Sequence, residues 1–156
     1  MKGKWADRRR LAPRSLDVLV VDDDADAARL LSKLVTAFGH RARVTFDPWA
    51  AERAFDEFGP DAVLLDIGLP GKSGYEVARD LRARHGSAVF LAAITGWGHD
   101  EDRVRAREAG FDVHIMKPAD AMLLERVLAC AAGGDACNLC WECRGRKGAT
   151  GAGDRT

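Results

Sequence analysis

Apolar residues recur along this chain in two alternating rhythms. Short, nearly unbroken runs occur at Asp17–Val21, Arg41–Thr45, Ala62–Leu65, Ala88–Ile94 and Val113–Met116, and each is followed by a stretch whose apolar positions return at helical spacing. The pattern predicts five strands and five helices. The first helix sets Leu30, Leu31, Leu34, Val35 and Phe38 on one face and stops at Gly39. The second opens at Asp47-Pro48-Trp49, with Asp47 placed to cap it and Pro48 in its first turn, and stops before Gly59-Pro60. Ser73 and Glu76 have the spacing of a capping box ahead of Val77, Ala78 and Leu81, and Gly86 follows that helix. The fourth helix runs from about His99 to Ala109 before Gly110, and the fifth buries Leu123, Leu124, Val127 and Leu128 ahead of Gly133-Gly134.

Strict alternation of strand and helix implies parallel strands with right-handed crossovers and helices on both faces of the sheet. The central runs lack polar alternation, as strands buried on both faces do. The expected class is therefore α/β, a doubly wound five-stranded parallel sheet. Sites in such sheets lie beyond the carboxyl ends of the strands, so the residues just after each run are the ones that matter.

Length and composition add limits. With 156 residues, 47% hydrophobic and 31% charged, the chain suits one cored domain with short extensions. No apolar segment approaches the roughly 18 to 20 residues that span a bilayer, and the N-terminus lacks the apolar block of a secretory signal, which points to a cytoplasmic protein with no membrane partner. Net charge is zero but unevenly spread: residues 1–15 carry six Lys/Arg against one acid, residues 16–132 fourteen against twenty, and residues 133–156 four against three. Residues 1–15 read as a basic, disordered leader, 16–132 as the folded domain, and 133–156 as a disordered Gly- and Cys-containing tail. No nucleic-acid partner is expected, since the leader has one aromatic and no folding pattern.

The strand ends form a coherent chemical set. Asp22 and Asp23 follow the first run, Asp66 the third, Thr95 the fourth and Lys117 the fifth. Three carboxylates are hard oxygen ligands suited to Mg²⁺, which takes a few carboxylates together with water and a phosphate oxygen. Thr95 supplies a hydroxyl and Lys117 a compact positive charge for a phosphoryl oxygen. The third acid of "VVDDDADAARLL", Asp24, reads with Asp26 as the cap and first-turn acid of the following helix.

Over residues 17 to about 131 the chain resembles the receiver domain of two-component response regulators, through "VLVVDDD", "VLLDIGLPGKSGYEVARDLR", "AAITGWG" and "AGFDVHIMKP". In wording these are most similar to stand-alone receivers and those of hybrid histidine kinases. The resemblance implies a flavodoxin-like sheet of strand order 2-1-3-4-5. It makes Asp66 the phosphoacceptor in a Mg²⁺-dependent phosphorelay and Asp22 and Asp23 the acidic pair around the metal, with the main-chain carbonyl of Gly68 completing the metal's ligands. Thr95 and Lys117 become the phosphoryl-binding pair, the Lys117–Pro118 bond is implied to be cis, and His114 stands where the family often has an aromatic ring that switches with Thr95. The implied donor is a histidine kinase or histidine phosphotransfer protein. The implied output is contact with a downstream protein or a second receiver across the fourth helix, fifth strand and fifth helix. Such a protein is no ordinary enzyme, since its chemistry is self-catalysed phosphoryl acceptance and autodephosphorylation.

Two other functions fit less well. A phosphohydrolase with an aspartyl nucleophile generally places a second acid two residues on, where this chain has Gly68, and a flavin or nucleotide binder wants a glycine- or hydroxyl-rich loop where this chain has "DDDAD". After Ala132 only 24 residues remain, with no helix–turn–helix pattern, too few for a DNA-binding output domain; Met1 and the basic leader favour a complete short protein over the end of a hybrid kinase. Cys137, Cys140 and Cys143, with Cys130 on the preceding helix, have the count for a zinc or iron–sulfur site, but they lack two separated pairs, so reduced, free thiols are expected.

Overall fold

The structure is a computed structural model, and it describes residues 14–96 and 100–133. Residues 1–13 of the leader, the tail after Gly133, and Trp97, His99, Cys137, Cys140 and Cys143 lie outside the described residues. At the leader's end Arg14 pairs with Asp61 at 3.2 Å and the Ser15 hydroxyl donates to Gly39 O at 2.9 Å. The elements follow one another as β1 (Asp17–Val21), α1 (Ala25–Ala37), β2 (Arg41–Thr45), α2 (Pro48–Phe58), β3 (Ala62–Asp66), α3 (Gly74–His85), β4 (Phe90–Thr95), α4 (Asp100–Ala109), β5 (Val113–Met116) and α5 (Ala121–Ala131). All strand pairs are parallel, in the order β2-β1-β3-β4-β5. The expected doubly wound, flavodoxin-like sheet is therefore the observed one. A single 3₁₀ turn at Gly86–Ala88 delays β4, which begins at Phe90 rather than Ala88.

Successive residues of a parallel strand feed opposite faces, and β1 shows the division. Val18 and Val20 pack with α1 and α5, in a cluster that includes Leu31, Val35, Leu124 and Leu128. Leu19 and Val21 pack on the other side with Ala54, Phe55, Val77, Leu81 and Ala106. β3 and β4 are buried along their whole length, which is why their sequences carry no polar alternation. Four helix starts are fixed by side chains as the spacing predicts or allows. Asp24 accepts from the amides of Asp26 and Ala27, Asp47 from Ala50, and Asp120 from Met122 and Leu123, while Ser73 and Glu76 form the reciprocal capping box.

One apolar face differs from its expected form. Leu30, grouped by periodicity with the core of α1, is 55% exposed, while Ala28, Leu31 and Val35 are buried and Leu34 and Phe38 are half-buried. Leu30 is exposed because, with Leu31 and Leu34, it lines an open apolar groove between α1 and the Lys117–Ala119 segment rather than the closed core. Leu123 is likewise only partly buried.

Candidate functional site

Strand register assembles the site. Val21 pairs with Leu65, so Asp22 and Asp66, each one residue on, stand level on adjacent strands. Parallel neighbours lie about 4.8 Å apart, which puts two acids within one ligand's reach. Asp66 pairs with Ile94 and Thr95 with Met116, so Thr95 and Lys117 follow one step later on each neighbouring strand. Asp22, Asp66 and Thr95 are buried, and Asp23 is exposed beside them. Carboxylate oxygens of Asp22, Asp23 and Asp66 all lie within 4.8 Å of one another.

Lys117 reaches into this acidic group. Its Nζ is 2.9 Å from Asp22 Oδ2 and 3.4 Å from Asp66 Oδ2. The first contact is an ion pair rather than an aligned hydrogen bond, because Asp22 Oδ2 is buried and receives none. The other oxygen, Asp22 Oδ1, accepts from the Asp24 amide and so joins the site to the start of α1. Burial works against the Lys117 ammonium, but the pairs with Asp22 and Asp66 outweigh it and raise its pKa.

Asp66 is the most perturbed carboxyl of the site. Burial pushes its pKa up to about 6; the amide of Gly68, donating to Asp66 Oδ1 at 3.1 Å, and the charge of Lys117 oppose the rise, and the negative charge of Asp22 adds to it. Two carboxylates and an ammonium at one buried strand edge leave negative charge uncompensated. The donor set fits a hard divalent cation: it is all oxygen, it carries three acids, and Asp22 Oδ2 lacks a hydrogen bond.

The other expected residues fall around this centre. Gly68 is exposed, two residues past Asp66, where a phosphohydrolase would carry an acid. The Lys117–Pro118 bond is cis, and the Lys117 amide donates to Thr95 O at 2.8 Å. His114 is half-buried on β5; both its ring nitrogens are buried without a hydrogen bond, and burial, helped by Arg103, lowers its pKa. Cys130, expected as a free thiol, is disulfide-bonded. The expectation failed because composition and compartment speak only to the average thiol, whereas pairing is decided by where the chain brings two sulfurs together.

Sequence reasoning did not find Gly74. A Cβ at this position would stand 2.5 Å from the Asp66 carbonyl oxygen and 2.7 Å from Ile67 Cα, and the Gly74 amide donates to Ile67 O at 3.0 Å. The first turn of α3 is thus pressed against the backbone of Asp66 itself. The glycine in "KSGYE" was visible, but the close approach that requires it is a tertiary fact. Its neighbour Tyr75 is buried, sends its hydroxyl to the Asp102 carbonyl at 3.4 Å and lies under Arg105, whose guanidinium carbon is 4.6 Å from the ring centroid.

Comparison with known proteins adds independent findings. The response regulator receiver domain profile matches residues 18–129. The sensory transduction protein RegX3 of Mycobacterium tuberculosis is 40% identical over 113 residues, which cover 72% of this chain and 49% of that protein. The DNA-binding response regulator MtrA of the same organism is 41% identical over 101 residues, covering 65% of this chain and 43% of its own length. The chain thus spans about half the length of the curated relatives it matches. Among solved structures, NtrX from Brucella abortus superposes with a TM-score of 0.69 at 31% identity, over 76% of this chain and 28% of that one. The BeF3-activated receiver domain of DrrB superposes with a TM-score of 0.65 at 28% identity, over 73% of this chain and 95% of that one. No described helix is long and apolar enough to cross a membrane.

Proposed function

This chain belongs to the response regulator receiver domain family, and from that premise we propose that it takes a phosphoryl group onto Asp66 from a histidine kinase or a histidine phosphotransfer protein. One observation carries the reading: Lys117 Nζ stands within 3.4 Å of Asp66 and 2.9 Å of Asp22, at the strand edge where a third acid, Asp23, is also in reach. The Lys117 ammonium, partly exposed and held by both acids, is placed where the charge of a phosphoryl group on Asp66 would be met.

The chain's own groups divide the work. An Asp66 oxygen forms the new P–O bond as the donor's P–N bond breaks, and the donor imidazole leaves with the electron pair and takes up a proton. The phosphoryl group in transfer is loosely bonded, so its oxygens need positive charge more than a general base is needed. Lys117 supplies one such charge, and the Thr95 hydroxyl donates a hydrogen bond to another oxygen. Mg²⁺, held by Asp22, Asp23, Asp66 and the Gly68 main-chain carbonyl, supplies the rest of the neutralisation when bound. Hydrolysis returns the site to its start: water attacks phosphorus, inorganic phosphate leaves, and the Asp66 carboxylate is regenerated. In this reading Thr95, drawn to the phosphoryl group, vacates space beside His114, and the change passes to a downstream protein or second receiver at the face made by α4, β5 and α5. The exchange takes place in the cytoplasm. The aspartyl phosphohydrolase alternative loses support from Gly68, which offers the site an amide and no acid.

The decisive test is intact-mass spectrometry after incubation with acetyl phosphate and Mg²⁺. One added phosphoryl group is expected, lost in Asp66→Asn and in excess EDTA. Labelling that persists in either condition rules out this assignment.

A further inference from the structure

The loop from Ile67 to Ser73 carries the chain from β3 to α3, and its path decides where the Gly68 main chain stands beside Asp66. Gly68 is exposed, but its neighbours Ile67 and Leu69 are buried in the cluster that also holds Ala51, Ala54 and Phe55 of α2. α2 grips the loop at two further points. Gly71 has φ +83°, and a Cβ there would lie 2.6 Å from Trp49 Cη2, so the Trp49 ring rests on the apex of the loop. The next residue, Lys72, places Nζ 2.6 Å from Glu52 Oε1 on α2 and in still shorter contact with Asp80 on α3. The side chains of Lys72 and Glu52 are 22% and 25% exposed, so water and salt screen this pair less than an open surface pair. Trp49 and Glu52 are three residues apart and share one face of α2.

We infer that α2, through Trp49 and the Glu52–Lys72–Asp80 clasp, positions the Gly68 main chain at the site and thereby sets the divalent-cation affinity of the Asp22, Asp23 and Asp66 group. The inference rests on the reading of that group given above. Lys72 and Glu52 touch neither metal nor phosphoryl group, and they are positioning residues. A loop with a left-handed glycine at its apex has little intrinsic preference for one path. Held only at its ends, it presents the Gly68 carbonyl for a fraction of the time, and apparent affinity falls by that fraction.

The test is titration of the full chain with MgCl₂ by calorimetry, well below each variant's Tm, with the Gly68 amide followed by NMR. Lys72→Met, which removes both ion pairs, is expected to raise Kd about three- to ten-fold, the range for a ligand in place a tenth to a third of the time. Lys72→Arg is expected to stay within about two-fold of wild type, since it keeps the charge that makes the clasp. Glu52→Gln, which keeps the Lys72–Asp80 pair, is expected to fall between, and it carries the test should Lys72→Met fold poorly. A lowered Tm with an unchanged Kd makes the clasp merely structural and overturns the inference, while the reading of the site stands. A wild-type protein that takes up no Mg²⁺ overturns that reading and the inference with it.

Discussion

Replacing Asp66 by Asn in the metal-free protein is expected to stabilise it, and by an amount that grows with pH. An Asp carboxyl has a pKa near 3.8 when exposed, and in the fold burial raises that of Asp66 to about 6. The folded state therefore holds this proton to higher pH than the unfolded state does. The resulting contribution to stability is complete below about pH 3.8 and is lost as pH rises through about 6. One group with these folded and unfolded pKa values changes the unfolding free energy by about 1.4 kcal/mol between pH 5 and pH 7.5, and by about 3 kcal/mol over the whole span. The side chain is only 9% exposed, so exposure itself discounts this little, but relaxation around Lys117 lowers it, and about 1 kcal/mol is the working expectation between pH 5 and pH 7.5. Asn cannot ionise and keeps the shape, while Lys117 retains Asp22 as a partner. Urea denaturation in EDTA at the two pH values gives the difference directly, and the histidines cancel because both proteins contain them. In Tm the gap corresponds to about 3–5 °C per kcal/mol for a domain of this size. Parallel stability–pH curves for the two proteins, or a variant less stable at pH 7.5 than at pH 5 relative to wild type, refute the reasoning.

Asp23→Ala is expected to weaken Mg²⁺ binding at least several-fold by calorimetry and yet move the metal-free Tm little, because Asp23 is exposed and its repulsion of Asp22 and Asp66 is relieved by solvent. Gly74→Ala forces a Cβ against the Asp66 carbonyl and is expected to cost about 1–3 kcal/mol in urea denaturation and to slow labelling by acetyl phosphate, since the backbone that must yield is that of Asp66. Ser73→Ala removes one half of the capping box and should cost about 1 kcal/mol without altering the extent of labelling, as measured by denaturation and mass spectrometry. In Thr95→Ala, beryllofluoride with Mg²⁺ should still shift amide signals around Asp66 by NMR but no longer those around His114 and along α4; distant shifts that survive the substitution would dismiss the Thr95–His114 relay.

Much of this molecule was legible in its sequence because burial leaves a periodic trace. β3 and β4 are buried on both faces, so "AVLLD" and "FLAAIT" exclude polar residues, and their polar ends, Asp66 and Thr95, stand out against that background. Helix caps are equally local, a side chain and an amide two or three residues apart, and Asp24, Asp47 and Ser73 were readable for that reason. The set Asp22, Asp23, Asp66, Thr95 and Lys117 could be drawn up because a parallel sheet gathers all its strand ends on one edge. Distances within the set were another matter. Whether Lys117 pairs with Asp22, how far burial lifts Asp66, and that α3 presses on the Asp66 backbone at Gly74 depend on register, on the tilt of one layer against the next, and on what solvent is left. The same holds for Leu30, whose helical phase agrees with the core while the packing leaves it on an open groove beside Lys117 and Pro118, and for Cys130, whose bonding composition did not disclose. The hold of α2 on the loop beyond β3 also came from tertiary structure alone, since Trp49 and Glu52 lie about twenty residues before Gly71 and Lys72 and no local rule links them. A sequence records which groups each segment needs to bury or cap, because those needs are met within a few residues; contacts between segments are settled only when packing fixes the layers against one another, and the electrostatics of the site follow from that packing.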